Sequence, residues 1–337
     1  MTLVRPERFL ITGATGFIGG ALARRLARDG LAVRALVRRG ADTRSLAAAG
    51  VELATGDVRE RAAVREAMRG CTHVVHLAAT RAGSGTTTSM LHDVNVRGTA
   101  NVADAAQAEG IARLVYGGSL GVHGFVSGAL IDEESPIRPN TRYRRSKWLA
   151  EQLLRAAQAR TELPVVMARI STVVGPGASA WFPLAQRIAA GRMRLLGDGA
   201  NHIDLVAVDD LVEGLRLCAT VAGAEGACYV LGSAAPSTVG GFSASIARAL
   251  GVPAPSSGPP AAPYRVLLRA AALAFRITGY DPRFVHAREV LVADKRSSSE
   301  RARASLGYAP CASVDDAVRA MVARFVEEGR LPVAHPA

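Results

Sequence analysis

Thr12-Gly13-Ala14-Thr15-Gly16-Phe17-Ile18-Gly19 follows the short apolar run Arg8–Thr12 and opens a helical pattern over Phe17–Asp29. A strand, a glycine turn and a helix in that order form the first half of a βαβ unit, and this order decides the fold. Gly13 permits the tight turn, Gly16 lets the backbone approach a pyrophosphate, and Gly19 allows close packing of the helix. The helix N-terminus presents free N–H groups and a positive dipole end to phosphates. The spacing is GxxGxxG, not the commoner GxGxxG, so the position after a strand carries as much weight as the glycines. Gly13, Thr15, Gly16, Phe17 and Ile18 are the cofactor-binding candidates of this turn.

Outward from the turn, apolar runs alternate with helical patterns. Strands are predicted at Arg8–Thr12, Ala32–Val37, Val51–Ala54, His73–Leu77, Leu114–Gly118 and Val165–Ile170. Helices are predicted at Phe17–Asp29, Arg59–Arg69, Leu91–Glu109 and Tyr143–Arg160. The fold class is α/β, a Rossmann-type doubly wound parallel sheet whose ligands bind beyond the carboxyl ends of the strands. After Gly175 the alternation loosens. A helix at Phe182–Ala190, short strands at Arg194–Leu196 and Asp204–Val208, and a helix at Asp210–Ala219 precede a Pro-rich stretch, Pro253–Pro263. A final helix is expected at Val314–Glu328. Residues 1–175 therefore read as the nucleotide-binding domain with the catalytic residues. Residues 176–337 read as a smaller, mostly helical substrate region partly interleaved with the sheet.

Composition narrows the partners. The 337 residues carry 41 Lys+Arg against 29 Asp+Glu, a formal +12, yet only Lys147 and Lys295 are lysines. The arginines are scattered and aromatics make up 5%, so no base-stacking platform is indicated and no nucleic-acid partner is expected. Cys71, Cys218, Cys228 and Cys311 show no CxxC pairing and no metal-ligand spacing with histidines, so neither disulfides nor a metal site are expected. The N-terminus lacks a signal-peptide pattern, and the apolar stretch Tyr264–Ile277 is broken by Arg265, Arg269 and Arg276, which excludes a transmembrane segment. A soluble, cytoplasmic protein is expected.

At the end of the second strand stand Arg38 and Arg39. An acid there would bind the ribose 2′-hydroxyl of NAD(H) and repel a 2′-phosphate, whereas an arginine grips that phosphate through forked hydrogen bonds. NADP(H) is therefore the expected cofactor and NAD(H) the less favoured one, with Arg44 a possible addition to the pocket.

Tyr143 and Lys147 lie one helical turn apart on one face. A free tyrosine titrates near pH 10, and an ammonium beside it stabilises the phenolate. Tyr143 then serves as acid/base toward a carbinol oxygen. In a chain that otherwise uses arginine, a lysine here points to a need for a compact ammonium. Ser119, at the end of the fifth strand, is placed to hydrogen-bond the reacting oxygen. Asn95 is placed to hold a water linking Lys147 to solvent.

These motifs closely resemble the extended short-chain dehydrogenase/reductase family, the NAD(P)-dependent epimerase/dehydratase group, over nearly the whole chain. Gly56-Asp57-Val58 resembles the adenine contact, His76-Leu77-Ala78-Ala79 the turn beside the nicotinamide, and Arg169-Ile170-Ser171-Thr172-Val173-Val174-Gly175-Pro176 the segment after strand six. The resemblance implies cofactor contacts from Asp57, Val58, Leu77, Ala78, Ala79, Tyr143, Lys147 and Ile170, and catalytic roles for Ser119, Tyr143, Lys147 and Asn95. It also implies a homodimer packed through Leu91–Glu109 and Tyr143–Arg160. Gly197-Asp198-Gly199-Ala200-Asn201 and Val208-Asp209-Asp210 match a second signature. Nucleotide-sugar members usually carry Asn at the position of Thr172 and Arg at that of Ile203. Their absence favours the 3β-hydroxysteroid dehydrogenase and dihydroflavonol-reductase-like branch. Gly118 and His123 depart from many relatives, and the resemblance implies a wider or re-polarised pocket.

The expected activity is NADP(H)-dependent interconversion of a ketone and a secondary alcohol on a largely apolar small-molecule substrate. The alternatives are an NAD-dependent sugar epimerase or dehydratase and a non-catalytic cofactor sensor. The Tyr264–Ile277 helix is expected to pack on the domain, with a lid or a peripheral membrane contact as the other readings.

Overall fold

The computed structural model describes residues 7–81, 83, 85–125, 128–281 and 289–332. Its centre is a seven-stranded parallel sheet. Strands β1 (Arg8–Thr12), β2 (Ala32–Val37), β3 (Glu52–Thr55), β4 (His73–His76) and β5 (Arg113–Gly117) are joined by Val165–Ile170 and Cys228–Leu231. The order across the sheet is Cys228–Leu231, Val165–Ile170, β5, β4, β1, β2, β3. The order reverses between β1 and β4, the switch point where such sheets open a crevice at their carboxyl ends. Register pairs Thr12 with Leu36 on one side and with His76 on the other, so the ends of three strands border that crevice.

Alternation along β1 divides the core. Phe9 and Ile11 join the cluster formed with Leu22, Leu26, Leu211 and Leu215. Leu10 joins the opposite one, with Val64, Met68, Val102, Leu114 and Leu154. Successive side chains of a strand point to opposite faces, so each face is covered by its own helices. A third cluster around Trp181, Phe242, Ile246, Met321 and Phe325 joins the helices Phe182–Ala189, Val239–Leu250 and Val314–Glu327.

Three features depart from the expectations. The strand Cys228–Leu231 was not foreseen: its four residues are all buried, too short a run to separate strand from helix by period. Arg194–Leu196 is not a strand, since Arg194 makes only an isolated bridge to Ser256. The stretch expected as one helix over Leu91–Glu109 is Thr88–His92, a π-turn over Asp93–Arg97, and Gly98–Ala108. A π-turn inserts one residue into a helix and is frequent at functional sites.

The helix Ala262–Thr278 packs through Leu268 and Phe275 alone among its buried residues. No helix among the described residues is long and apolar enough to cross a membrane.

Candidate active site

The glycine turn has the shape a dinucleotide requires. Gly13 has φ +75, and a Cβ there would lie 2.7 Å from Ala78 N, so the turn sits directly on the backbone after β4. A Cβ on Gly19 would meet Gly13 O at 2.3 Å, so this glycine lets the helix close on the turn itself, not on the strand. Gly16 is the N-cap of Phe17–Arg28 without a side-chain cap, and the first turn has no acid. These uncapped N–H groups fit a pyrophosphate.

Arg38 and Arg39 are exposed just past β2. Arg44 pairs with Asp42 at 2.7 Å, which neutralises it locally. Asp57 bonds Arg59 at 2.9 Å, and that bond holds its carboxyl below the usual range. Val58 packs under Gly98, where a Cβ would meet its Cγ2 at 2.9 Å. Among the described residues no group of three or more His, Cys, Asp or Glu could hold a metal.

A buried string of polar groups then ties the strand ends together. Thr12 Oγ1 lies 2.6 Å from His76 Nδ1, and His76 Nε2 lies 2.9 Å from Thr99 Oγ1, which donates to Asn95 O at 2.7 Å. Burial depresses the His76 pKa to about 3, with Lys147 adding to the effect, so the ring is neutral. An unfolded histidine takes up its proton near pH 6.5 and this native one does not. Stability linked to His76 is therefore complete above pH 6.5 and falls by ~1.4 kcal/mol per unit between there and pH 3. His76→Gln is expected to flatten this acid limb in urea unfolding at pH 7.5 and 5.5. His73 and His123, also depressed by burial, keep their share of the slope. Equal slopes in both proteins would refute the assignment.

Asn95 lies in the π-turn and is buried. Its Oδ1 accepts from Thr80 N at 2.7 Å, and its Nδ2 donates to Thr80 O at 2.9 Å and Ser146 Oγ at 2.8 Å. Ser146 Oγ donates in turn to Tyr143 O at 2.7 Å. Asn95 thus pins the turn after Ala78-Ala79 to the helix Arg142–Thr161, whose start is capped by Thr141 Oγ1 accepting from Arg144 N. That helix carries Tyr143 and Lys147.

Lys147 is 3% exposed, and its Nζ sits 4.3 Å from the Tyr116 ring centroid. Tyr116 OH donates to Lys147 O at 3.2 Å. Burial lowers the lysine pKa to about 7, against the raising field of Glu151. Burial also raises the Tyr143 pKa, and the cations that pull it back are Arg81 and Arg144. Lys147 was expected in that part; in the fold, desolvation dominates and drives both groups toward neutrality.

Ser119 ends the turn after β5 and accepts from Gly121 N at 3.1 Å. A Cβ at Gly121 would lie 3.1 Å from Ser119 Oγ and 3.0 Å from Arg144 Nε, so the arginine stands alongside the serine. Arg144 Nη1 donates to Asn140 Oδ1 at 2.5 Å and Glu289 Oε2 at 2.8 Å, and Lys295 Nζ donates to Glu289 Oε1 at 2.7 Å. Arg144 and Lys295 hold Glu289 down to about 2 against its burial. This triad was missed. Its signal was the rarity of lysine, which the reading used for Lys147 and not for Lys295.

Two departures from the family pattern prove to be core positions. His123 is buried, with Nδ1 3.2 Å from Pro136 O and Nε2 facing Arg169 Nη1 at 3.4 Å. A Cβ at Gly118 would lie 3.1 Å from Ala168 O. Both positions lie against protein groups.

Residues 9–232 match the NAD dependent epimerase/dehydratase family. The chain belongs to this family. It is an NAD(P)-dependent oxidoreductase of the extended short-chain dehydrogenase/reductase type. It is 32% identical over 333 residues to sterol demethylase protein B of Methylococcus capsulatus, covering 96% of this chain and 99% of that one. It is 31% identical over 332 residues to 2-alkyl-3-oxoalkanoate reductase of Stenotrophomonas maltophilia, covering 94% and 98%. The crystal structure of gox2253 superposes with a TM-score of 0.82 at 28% identity, covering 96% of this chain and 99% of that chain.

Proposed function

We propose that this epimerase/dehydratase-family chain is an NADP(H)-dependent reductase or dehydrogenase that interconverts a ketone and a secondary alcohol on a largely apolar small molecule. The observation that carries the reading is the Tyr143–Lys147 pair, held one turn apart on a helix that Asn95 and Ser146 fasten to Thr80 in the turn after β4. Tyr143 supplies or takes the proton at the carbinol oxygen, Ser119 orients that oxygen, and Lys147, whose pKa burial lowers to about 7, in its protonated form stabilises the phenolate. The nicotinamide, when bound, supplies or accepts the hydride.

Apolar substrate preference rests on Ile203. Nucleotide-sugar relatives place an arginine there, while here the side chain is 5% exposed inside the C-terminal apolar cluster. The names of the two relatives, a sterol-acting protein and a 3-oxoalkanoate reductase, accord with a carbonyl or carbinol on an apolar skeleton. A homodimer packed through Thr88–Ala108 and Arg142–Thr161 would also cover the exposed Met90 and Leu149.

Nucleotide analysis of the purified protein, followed by titration with NADPH and NADH, tests the cofactor assignment. The protein is expected to arrive empty and to bind NADPH more tightly. Arg38→Ala/Arg39→Ala is expected to weaken NADPH roughly 10- to 100-fold while NADH binding changes little, as charge-assisted phosphate contacts are worth about 1.5–3 kcal/mol. A tightly retained NAD would overturn the assignment and support an epimerase cycle.

A further inference from the structure

The helix Ala262–Thr278 has an apolar face on its solvent side. Among the described residues nine large apolar side chains are exposed, and five of them, Val266, Leu267, Leu273, Ile277 and Tyr280, fall within or just after this helix. At about 100° per residue, Leu273, Val266, Ile277, Ala270, Ala274 and Leu267 follow one another over about 120° of the wheel. Arg269 and Arg276 line one border of that strip, and both are exposed. Arg265 continues the row and donates to Val292 O at 3.3 Å. Ala262–Thr278 contains three arginines and no acid, in a chain of formal charge +12.

An apolar strip edged by a row of like charges is not the surface of a freely dissolved helix. We infer that this face docks on an anionic lipid surface, its leucine, valine and isoleucine side chains entering the headgroup boundary and its arginines pairing with lipid phosphates. The helix is about 25 Å long, enough to lie in the interface and not to span it. Its exit reaches the active site: Arg142 N donates to Asp281 Oδ2 at 2.9 Å and Arg142 Nε to Gly279 O at 3.4 Å, beside Tyr143. A docked helix therefore brings the catalytic helix to the membrane face, where an apolar substrate would be met. The docking itself does not depend on which carbonyl compound is turned over.

Co-sedimentation of the full chain with phosphatidylcholine vesicles, with and without phosphatidylglycerol, tests this. The protein is expected to pellet with the anionic vesicles, less so at high salt, and to remain in solution with phosphatidylcholine alone. Leu273→Asp/Ile277→Asp is expected to lower the partition roughly tenfold or more, and Arg269→Gln/Arg276→Gln to remove most of its salt dependence. All four side chains are exposed, so dinucleotide binding should be unchanged in both variants. Failure to bind anionic vesicles would overturn the inference. So would unchanged binding by Leu273→Asp/Ile277→Asp, which would assign it to the general basicity. A sedimentation coefficient that falls in that variant without lipid would show that a second copy covers the face, and would overturn it too.

Discussion

Tyr143→Phe is expected to lower turnover about 10²- to 10⁴-fold, the range supplied by a positioned acid/base. The variant removes one oxygen and keeps the ring, so the packing of the Arg142–Thr161 helix and its bonds from Asn95 through Ser146 are untouched. Dinucleotide affinity should therefore stay close to that of the parent, and the loss should fall on kcat. Stopped-flow turnover of a 3-oxo acid or its reduced alcohol reads it, with cofactor titration as the control. Full turnover in the variant would remove Tyr143 from the chemistry and assign the proton transfer to another group.

The second large effect is structural. Glu151, one turn beyond Lys147, and Arg169 form a buried ion pair at 2.8 Å, with side chains 1% and 3% exposed. Arg155 also bonds Glu151, and Arg169 donates to Glu133 O at 2.8 Å. Glu151→Ala leaves the Arg169 guanidinium buried with a carbonyl and an imidazole as its remaining hydrogen-bond partners and only the Glu133 carboxylate acting from farther off, and is expected to cost about 3–5 kcal/mol. Replacing both partners together, Glu151→Leu with Arg169→Met, should cost much less, because no charge is then stranded. Urea unfolding of the three proteins measures this. A Glu151→Ala variant within about 1 kcal/mol of the parent would show that the site hydrates freely. Glu151 also supports the Lys147 ammonium, so its loss should weaken the lysine's charged form as well.

The sheet and the catalytic helix were legible because their signals are local. Arg8–Thr12, Ala32–Val37 and Val165–Ile170 are apolar runs bounded by turns, and their ends agree with the structure. Tyr143 and Lys147 share a face by helical period alone. What was not legible depends on residues far apart in sequence. Arg144 meets Glu289 across 145 positions and Arg169 meets Glu151 across 18, so no spacing rule announces either pair. The direction of the Tyr143 and Lys147 shifts was missed because desolvation is set by what the fold packs around a group. Lys147's place over Tyr116 likewise needs β5 and the helix brought together.

The π-turn over Asp93–Arg97 has a consequence for how this site tolerates change. One extra residue in that coil sets the direction in which Asn95 points. Removing a residue next to Asn95 within Asp93–Arg97 is expected to restore the ordinary pitch and swing the amide by about 100° away from Thr80 and Ser146. The aim of Asn95 is thus stored in the count of residues around it. Drift by substitution can reshape the surface of this segment, whereas a one-codon deletion inside the π-turn is expected to unhook the catalytic helix from the turn after β4.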